Sequence, residues 1–300
     1  MGRWRKLGRL SDGLTLGGAT IGFAAVPTAV HQGGDIYRVF VSARDAENHS
    51  LPGWFDFNLD TREVIAVADA PLMTLGALGC FDDAGVMPTW ICDHEDERFI
   101  YYIGWNQGVS VPFRNAVGLA KEEADGTWQR CFDGPILDRT PQEPHFVASC
   151  AVIKRGDTYF NWYLSCTGWE DSGNGPTHHY HIKCAHSLDG VSWQRNGYVA
   201  IDFAQGEYAI SRPSVLEEAD ASLTMWFSAR GAQYQIFQAT SQDGKHWERI
   251  QAPVLTPSEE GWDSDMVCYP FVFDHEGDRF MLYNGNGYGQ SGVGLAVLEA

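Results

Sequence analysis

Segments in which apolar and polar residues alternate recur along the whole chain, and this pattern predicts β-strands. Five of them are rich in aromatic and β-branched residues, with Ser, Gly or Asn near the end: YRVFVSARD (37–45), RFIYYIGWN (98–106), TYFNWYLSCTG (158–168), LTMWFSARG (223–231) and RFMLYNGNG (279–287). Ser, Gly and Asn favour turns where a strand ends. The alternation therefore predicts an all-β protein built from short, regularly spaced strands.

A proline in the element before each of these strands marks a sequence repeat. The marker stands at Pro27, Pro88, Pro213 and Pro270, and Cys150 takes its place once. Successive markers are separated by 61, 62, 63 and 57 residues. A regular period of this length indicates a repeat architecture.

A further element of the repeat combines an Asp-Gly turn with a tryptophan. It reads LAKEEADGTWQR (119–130), CAHSLDGVSWQR (184–195) and QATSQDGKHWER (238–249). Asp-Gly between two strands is a strong hairpin signal, so another short strand starts at each tryptophan. Each unit then has four strands, and five units predict one five-bladed β-propeller domain over residues 1–300.

The two ends of the chain are complementary. The last unit stops at GVGLAVLEA without a Trp strand, whereas Trp4-Arg5-Lys6 near the start resembles Trp193-Gln194-Arg195 and Trp247-Glu248-Arg249. We expect the N-terminal strand to complete the fifth blade, close the ring and cover an open sheet edge. A β-sandwich is the alternative, but it explains neither the period nor the complementary ends.

Acidic residues precede the innermost strand in four of the five units. They are Asp82 and Asp83, Glu143, Glu207, and Asp263 and Asp265. Because the first strand of each propeller blade lines the central channel, we expect these carboxylates to converge on one funnel. Neighbouring like charges drive pKa values apart, which supplies the acid and the base that glycoside hydrolysis needs. The alternative is that these acids close turns or cap strands.

Arg212 lies in the middle of the apolar stretch YAISRPSVL (208–216), five residues after Glu207. Strict alternation would send these two side chains to opposite faces. We expect either a bulge between Tyr208 and Ser211 or a position for Glu207 in the preceding loop. Arg212 could then lie among the acids and offset their charge, since an unpaired arginine between sheets would be costly.

Aromatic, amide and guanidinium side chains follow the second strands, on the side where the acids are expected. Such side chains suit sugars, because aromatic faces stack on sugar rings and polar groups bind hydroxyls. The candidate substrate-binding residues, acids included, are Arg44, Asp45, Asp82, Trp105, Asn106, Arg114, His145, Trp169, Tyr208, Arg212, Arg230, Asp263, Asp265, Asn284 and Asn286. Trp and Asn are also common in turns, which is the structural alternative.

Charge and cysteine content exclude several classes of partner. The net charge of −18 argues against nucleic acid and against an anionic membrane surface. No apolar stretch is long enough to cross a membrane. The seven cysteines have no C-x-x-C spacing, which favours reduced thiols and a cytoplasmic protein over a secreted one. HHYH (178–181) has no second motif with metal-like spacing beside it, so we expect neither a metal nor another cofactor.

The repeat, the S-x-D-G-x-x-W motifs at 187–193 and 241–247, and SRPSV (211–215) resemble the arabinanase, levansucrase and invertase superfamily of five-bladed propellers. This superfamily includes glycoside hydrolase families forty-three and thirty-two. More narrowly, YYIGWNQGVSVPFRN and EYAISRPSV resemble a bacterial branch associated with glycan assembly.

The resemblance implies a catalytic role for three channel carboxylates. By position, Glu207 would be the general acid and Glu143 the carboxylate that tunes the acid. The base or nucleophile, which the superfamily takes from the first blade, would be Asp83, unless Asp82 takes this role, Asp45 reaches in, or the hydrolytic mechanism is absent. Unlike the superfamily, the inner strand of the first blade, TIGFAAVPTAV, has no acid.

Two functions with a carbohydrate or a sugar-containing small molecule as partner are therefore left open. One is a glycan-acting enzyme, a hydrolase or transglycosylase that uses the channel carboxylates on a glycosidic bond. The other is a non-catalytic or non-hydrolytic propeller that binds sugars in polysaccharide or glycoconjugate biosynthesis. The acid missing from the first blade favours binding, and four acid-bearing blades favour catalysis. Carboxyl groups about 5–9.5 Å apart across an open pocket would indicate catalysis, whereas buried acids paired with arginine would indicate binding or structure.

Overall fold

The computed structural model describes residues 2–11, 23–94, 97–171, 173 and 175–299, and it is almost entirely β-structure, which confirms the all-β prediction. The first strands are β1 (Arg3–Ser11), β2 (Ala25–Gly33), β3 (Ile36–Arg44), β4 (Ser50–Asn58), β5 (Val64–Val67), β6 (Gly85–His94), β7 (Glu97–Gln107), β8 (Phe113–Glu122), β9 (Trp128–Arg130) and β10 (Val147–Arg155). They are followed by β11 (Thr158–Asp171), β12 (Pro176–Ser187), β13 (Gln194–Ile201), β14 (Ala209–Glu217), β15 (Leu223–Arg230), β16 (Tyr234–Ser241), β17 (Glu248–Arg249), β18 (Cys268–His275), β19 (Asp278–Asn284), a helical turn α1 (Asn286–Gly289) and β20 (Val293–Glu299).

The described strands form one four-stranded and two eight-stranded sheets. They divide into five antiparallel groups of four, since only one parallel residue pair each joins β4 to β6 and β12 to β14. Group one is β2–β5, group two is β6–β9, group three is β10–β13 and group four is β14–β17. Group five has the order β1-β20-β19-β18. The four-stranded unit that the sequence predicts is therefore present in each group.

The first strand of every group bulges at the repeat marker. The register shifts lie between Ala25 and Thr28 in β2, Pro88 and Trp90 in β6, Ala148 and Cys150 in β10, Ser211 and Ser214 in β14, and Cys268 and Phe271 in β18. Proline has no backbone N–H to donate, so a bulge is a position where a strand tolerates it. The residue before the proline has a positive φ at Val26 (57°), Arg212 (53°) and Tyr269 (55°). The proline marker is thus the sequence signature of a bulge.

The first strands contact one another in succession: β2 with β6, β6 with β10, β10 with β14, β14 with β18, and β18 with β2. Polar side chains on these strands bond across the group boundaries. The bonds are Thr28 Oγ1 to Thr89 O (3.3 Å), Cys150 N to Thr89 Oγ1 (3.1 Å), Arg212 N to Ser149 Oγ (3.3 Å) and Val272 N to Ser214 Oγ (2.9 Å). Side chains and backbone therefore join the groups along their innermost strands.

The S-x-D-G turns join the groups at their outer parts. Gly190 O accepts a hydrogen bond from the Tyr101 hydroxyl of group two (2.8 Å). One unit later, Gly244 O accepts one from Trp162 Nε1 of group three (2.8 Å). Both glycines have a positive φ, 71° and 74°, a conformation that glycine adopts without strain. The motif shared with the superfamily is therefore a structural element of this fold.

The N-terminal strand β1 lies antiparallel to β20, from Arg3 opposite Glu299 to Ser11 opposite Val293. Trp4 is only 5% exposed and meets Trp226 edge-to-face, with ring centroids 6.2 Å apart. β1 thus contributes a core aromatic side chain to group five.

All seven cysteines are free thiols, and Cys150, Cys166, Cys184 and Cys268 are buried. Burial raises the pKa of the Cys150 and Cys184 thiols to about 12, so both stay protonated at neutral pH. Within the described ranges, no helix combines the length and the apolar character that crossing a membrane requires.

Candidate functional site

Four of the six acids that were expected to share a funnel are bound inside their own strand groups. Each pairs with a cation on the outermost strand of its group, and three also accept a bond from a tyrosine 20 residues further along the chain. The sets are Asp82 with Arg130 and Tyr102, Glu143 with Arg195 and Tyr163, Glu207 with Arg249, and Asp263 with Lys6 and Tyr283. Because Asp82, Glu143 and Asp263 are buried, the prediction that they line an open funnel is wrong.

Glu143 has the largest set of partners. It accepts bonds from Ser165 Oγ (2.7 Å) and the Tyr163 hydroxyl (3.0 Å), and it pairs with Arg195 (3.1 Å) and Lys183 (3.3 Å). Burial alone would raise the pKa of this carboxyl, but the bond from Ser165 and the two cations together hold it below its usual value. Glu143 is therefore ionised at neutral pH and has no proton to give as an acid.

Glu207 lies in the loop before β14, which confirms one of the two arrangements predicted for it. Its Oε2 accepts bonds from Arg249 Nη1 (2.7 Å) and from the Ala204 N–H (2.9 Å). Arg249 in turn lies over the rings of Phe227 (5.1 Å) and Phe237 (4.5 Å). The general-acid role of Glu207 stays a prediction, and its contacts are those of a carboxylate that holds β17 against the group.

The sequence contains a signal for these pairs. In Trp128-Gln129-Arg130, Trp193-Gln194-Arg195, Trp247-Glu248-Arg249 and Trp4-Arg5-Lys6, a cation stands two residues after the tryptophan. Tryptophan and cation two residues apart point to the same face of a strand. Acid and cation thus recur together in four units, which is typical of a structural pair repeated with the fold.

Arg212 does not contact these acids, so the prediction that it offsets their charge is wrong. It is fully buried, and its Nη2 donates to Pro27 O (2.8 Å) and Thr28 Oγ1 (2.7 Å) of group one. Its Nε and Nη1 have no hydrogen-bond partner. Burial lowers the pKa of its guanidinium to about 9, and no carboxylate of the described residues compensates. Arg212 therefore connects β14 to β2 as a structural bridge.

Aromatic side chains from groups two to five gather where the first strands begin and the second strands end. We call this set the aromatic mouth: Trp105, Phe113, Phe146, Trp169, His178, Tyr180, Tyr208, Tyr234, Tyr269 and Tyr288. Several of these rings reach solvent, and the mouth rests on a separate apolar cluster that includes Ile103, Leu164 and Cys268. It brings together aromatic side chains from four of the five groups.

On one side of the mouth, Trp169 packs against Phe113 and His178, with ring centroids 5.4 and 5.3 Å apart. His178 stacks on Tyr180 at 4.9 Å. Burial, and then the charge of Arg230, lower the pKa of His178 to about 4, so this imidazole is neutral at neutral pH. The half-buried Trp169 therefore has a rigid support.

On the other side, the Arg230 guanidinium lies over the rings of Tyr208 (5.5 Å) and Tyr234 (5.4 Å). Its Nη1 donates to the Tyr288 hydroxyl (2.7 Å). The Tyr234 and Tyr180 hydroxyls share a short hydrogen bond, which links this side to the first one.

Arg44 continues the mouth towards group one. Its guanidinium lies over Trp105 (5.5 Å) and Phe23 (6.0 Å), and its Nη1 donates to Asn48 O (2.9 Å). Burial lowers the pKa of Arg44. Trp105 Nε1 donates to Ser50 Oγ (2.8 Å), so this ring is fixed as well.

Some of the other candidate side chains make hydrogen bonds within the protein, and others make none. The Asn284 amide donates to Ala24 O (2.7 Å) and accepts from Val26 N (2.8 Å), and the Asn286 amide accepts from Asp265 N (2.7 Å). Both amides therefore hold backbone and are not left free for a sugar. The half-buried or exposed candidates for which the structure gives no side-chain hydrogen bond are Asn106, Arg114, His145, Trp169 and Tyr208.

Three candidate carboxylates lie outside the four acid–cation pairs described above. Asp83 is half-buried and accepts from Gly79 N (2.8 Å), and Asp265 is exposed. Asp45 binds His49 Nδ1 (2.9 Å), and among the described residues Asp45, Glu47 and His49 have donor atoms close enough to hold a metal ion. The Asp45 carboxylate and the His49 imidazole are already hydrogen-bonded to each other.

Two depressions lie towards the opposite end of β6 from the mouth. A cavity of about 170 Å³ between groups two and three is lined by Cys92, Phe99, Tyr159 and Val191 among others. A more open groove near Arg98 and Lys121 is lined by charged side chains that pair with one another. Neither contains a residue of the aromatic mouth.

The fold is shared with glycoside hydrolase structures. The chain superimposes on a protein described as a glycoside hydrolase with a TM-score of 0.75 and 16% identity, over 98% of this chain and 91% of the other. A thermostable family-43 glycoside hydrolase gives 0.68 and 14%, over 96% and 91%. A protein from work on the GH130 family of mannoside phosphorylases and β-1,2-mannoside hydrolases gives 0.69 and 14%, over 99% and 93%. The resemblance to a glycoside hydrolase fold that the sequence predicted is thus confirmed by these structures.

No protein-family model matches the chain. Two curated proteins of Mycobacterium tuberculosis are 40% identical to it over 299 residues, which is 99% of this chain and 99% of each relative: Uncharacterized protein Rv1502 of strain H37Rv and Uncharacterized protein MT1551 of strain CDC 1551. At this identity and coverage, the chain belongs to the family of Rv1502 and MT1551.

Proposed function

We propose that the five strand groups are the blades of a single five-bladed β-propeller over residues 1–300, and that β1 closes the ring. The succession of contacts from β2 through β18 back to β2 supports a closed circle of blades. The pairing of β1 with β20 supports completion of the fifth blade by the N-terminus. The cytoplasmic location stays a prediction.

We propose further that the protein binds a carbohydrate at the aromatic mouth. The observation that carries this proposal is that one end of the fold, where the first strands begin, has the half-buried Trp169 on one side and Tyr208 with Arg230 on the other. Rigid aromatic faces stack on sugar rings, and fixed polar groups beside them bind hydroxyls. The buried, paired acids favour this binding function over hydrolysis by Glu143 and Glu207.

A glycoside hydrolase is the second candidate, and the fold of the structural neighbours favours it. The carboxylates then available are the ones that remain outside the buried pairs: Asp83, Asp45 and Asp265. The three catalytic candidates are Asp83, Glu143 and Glu207. Among the described residues, Glu143 and Glu207 each have a cation partner, whereas Asp83 has none. Hydrolysis of nitrophenyl glycosides that is lost in Asp83→Asn would establish this alternative.

The binding proposal is tested by a glycan array probed with the wild type and with Trp169→Ala. Loss of one stacking aromatic face costs roughly 0.5–1.5 kcal/mol, so we expect binding to a retained glycan to weaken about 2- to 10-fold. Trp54→Ala is the matched control, because Trp54 is also half-buried but stacks on Arg38 outside the mouth. Equal weakening by both variants, or none by Trp169→Ala, would rule out Trp169 as a contact residue.

A further inference from the structure

Within the described part of the chain, eight of the sixteen arginines of this acidic protein pair with a carboxylate that is not their neighbour in the chain. The pairs are Arg5 with Glu299, Arg38 with Asp56, Arg98 with Asp93, Arg130 with Asp82, Arg155 with Glu217, Arg195 with Glu143, Arg249 with Glu207, and Arg279 with Glu218. Arg44 and Arg230, the two guanidinium groups that lie on rings of the aromatic mouth, have none within ion-pair distance among the described residues. Arg212 also lacks a carboxylate partner, but it is fully buried, whereas Arg44 and Arg230 are half-buried at one site of a chain with 39 acids and 21 basic residues.

Arg230 is held in one orientation although it lacks an ion pair. The Tyr208 and Tyr234 rings lie on it at 5.5 and 5.4 Å, and the Tyr288 hydroxyl accepts from Nη1 at 2.7 Å. Arg230 is half-buried, and none of its nitrogen atoms is both buried and without a hydrogen-bond partner. A guanidinium fixed in this way presents a planar fork of donors to solvent, and that fork matches a carboxylate or a phosphate.

The acids nearest the mouth have other partners or other positions. Glu170 pairs with His179 (3.3 Å), and Asp45 binds His49. Asp265 is exposed in the loop before β18, where its N–H is bound by Asn286. The charge on Arg230 is thus left for a group that comes from outside the chain.

We infer that the ligand of the aromatic mouth is an acidic carbohydrate, a sugar that carries a carboxylate or a phosphate, and that Arg230 binds its charged group. This inference rests on the proposed carbohydrate-binding function. Tyr208 and Trp169 would contact the sugar ring, while the Arg230 guanidinium would bind the carboxylate or phosphate of the sugar. Arg44, on the group-one side, gives a second cation for a ligand with more than one charge.

The test compares acidic glycans with their neutral counterparts on the wild type and on Arg230 variants. An array with uronate-containing, phosphorylated and neutral glycans identifies the bound class, and calorimetry then measures affinity for the best acidic probe and its neutral counterpart. We expect Arg230→Gln to weaken acidic glycans about 10- to 100-fold and neutral ones much less, since only the acid loses a charge-assisted bidentate contact. Arg230→Lys should restore part of the loss, because it keeps the charge without the fork.

Arg38→Gln is the matched control, because Arg38 also stacks on an aromatic ring, Trp54 at 3.6 Å, but lies near the opposite end of β3 from Arg44. Melting curves verify that each variant is folded.

Preference for uronates over phosphates, or the reverse, identifies the charged group. Binding of neutral glycans with equal or better affinity, or an unchanged affinity in Arg230→Gln, would overturn this inference and leave the proposed function standing. Absence of binding to every glycan would contradict the proposed function, and the inference would fall with it.

Discussion

Deletion of residues 1–9 is expected to leave a protein that aggregates or melts at a far lower temperature than the wild type. The deletion uncovers the edge of β20, and an open strand edge pairs with other chains. It also removes Trp4 from its contact with Trp226 and strips Asp263 of its Lys6 partner (2.6 Å). Losing a buried tryptophan costs about 3–5 kcal/mol and orphaning a buried charge costs a similar amount. Together these losses approach the roughly 5–15 kcal/mol that stabilises a typical domain.

Circular dichroism melts and size-exclusion chromatography measure this effect. Lys6→Met isolates the ion pair, and Arg5→Ala is its control, because Arg5 lies on the same strand but is exposed and pairs with Glu299 at the surface. We expect Lys6→Met to lose several kcal/mol and Arg5→Ala less than about 1 kcal/mol. A deletion variant that melts at the wild-type temperature would show that β1 does not stabilise group five.

Glu207→Gln is expected to destabilise the protein strongly rather than to remove an activity from a stable fold. It leaves the Arg249 guanidinium, 11% exposed, without its carboxylate. Breaking such a pair from one side costs about 3–5 kcal/mol. For a chain of this size we expect the melting temperature to fall by roughly 5–15 °C.

Glu217→Gln is the matched control on β14, because its pair with Arg155 is exposed and such pairs contribute about 0–1 kcal/mol. The double variant Glu207→Gln/Arg249→Met should recover much of the stability, since methionine can pack on Phe227 and Phe237. If Glu207→Gln instead retains the wild-type melting temperature and loses turnover of a glycan, Glu207 is the general acid and its structural role is wrong.

Local patterns were sufficient to predict the strands and their repeat. Alternation identified strands such as β3 and β15, and the Asp-Gly turns located the short strands after them. The resemblance of Trp4-Arg5-Lys6 to the other Trp strands predicted that β1 lies beside the C-terminal strands, as its pairing with β20 shows. These features depend on residues close together in sequence, which is why the sequence reveals them.

The direction in which the acidic side chains point could not be predicted from such local patterns. Glu207 lies two residues before β14 begins, in a loop where strand alternation no longer sets the side-chain direction. Its partner Arg249 is 42 residues away, and Glu143 lies 52 residues from Arg195. The pairing becomes visible only once the outermost strand of each group has been placed against the first.

Arg212 illustrates the same limit. The bulge at the proline marker gives it a φ of 53° and turns its side chain towards Pro27 and Thr28 of a different group. A contact between residues 185 positions apart depends on how the groups are arranged around one another. The aromatic mouth was anticipated in part, because Trp105, Trp169, Tyr208 and Arg230 were named as candidates, but Tyr234 and Tyr288 became visible only from their contacts with Arg230.

The position of a bound glycan tests most directly the claim that the aromatic mouth is the functional site. A crystal structure should be determined with the tightest glycan from the array. The proposal predicts a sugar ring stacked on Trp169 or Tyr208, with a polar or charged group of the glycan within hydrogen-bond distance of Arg230. A glycan bound to Glu143 or Glu207, or seated in the cavity lined by Cys92 and Tyr159, would contradict it.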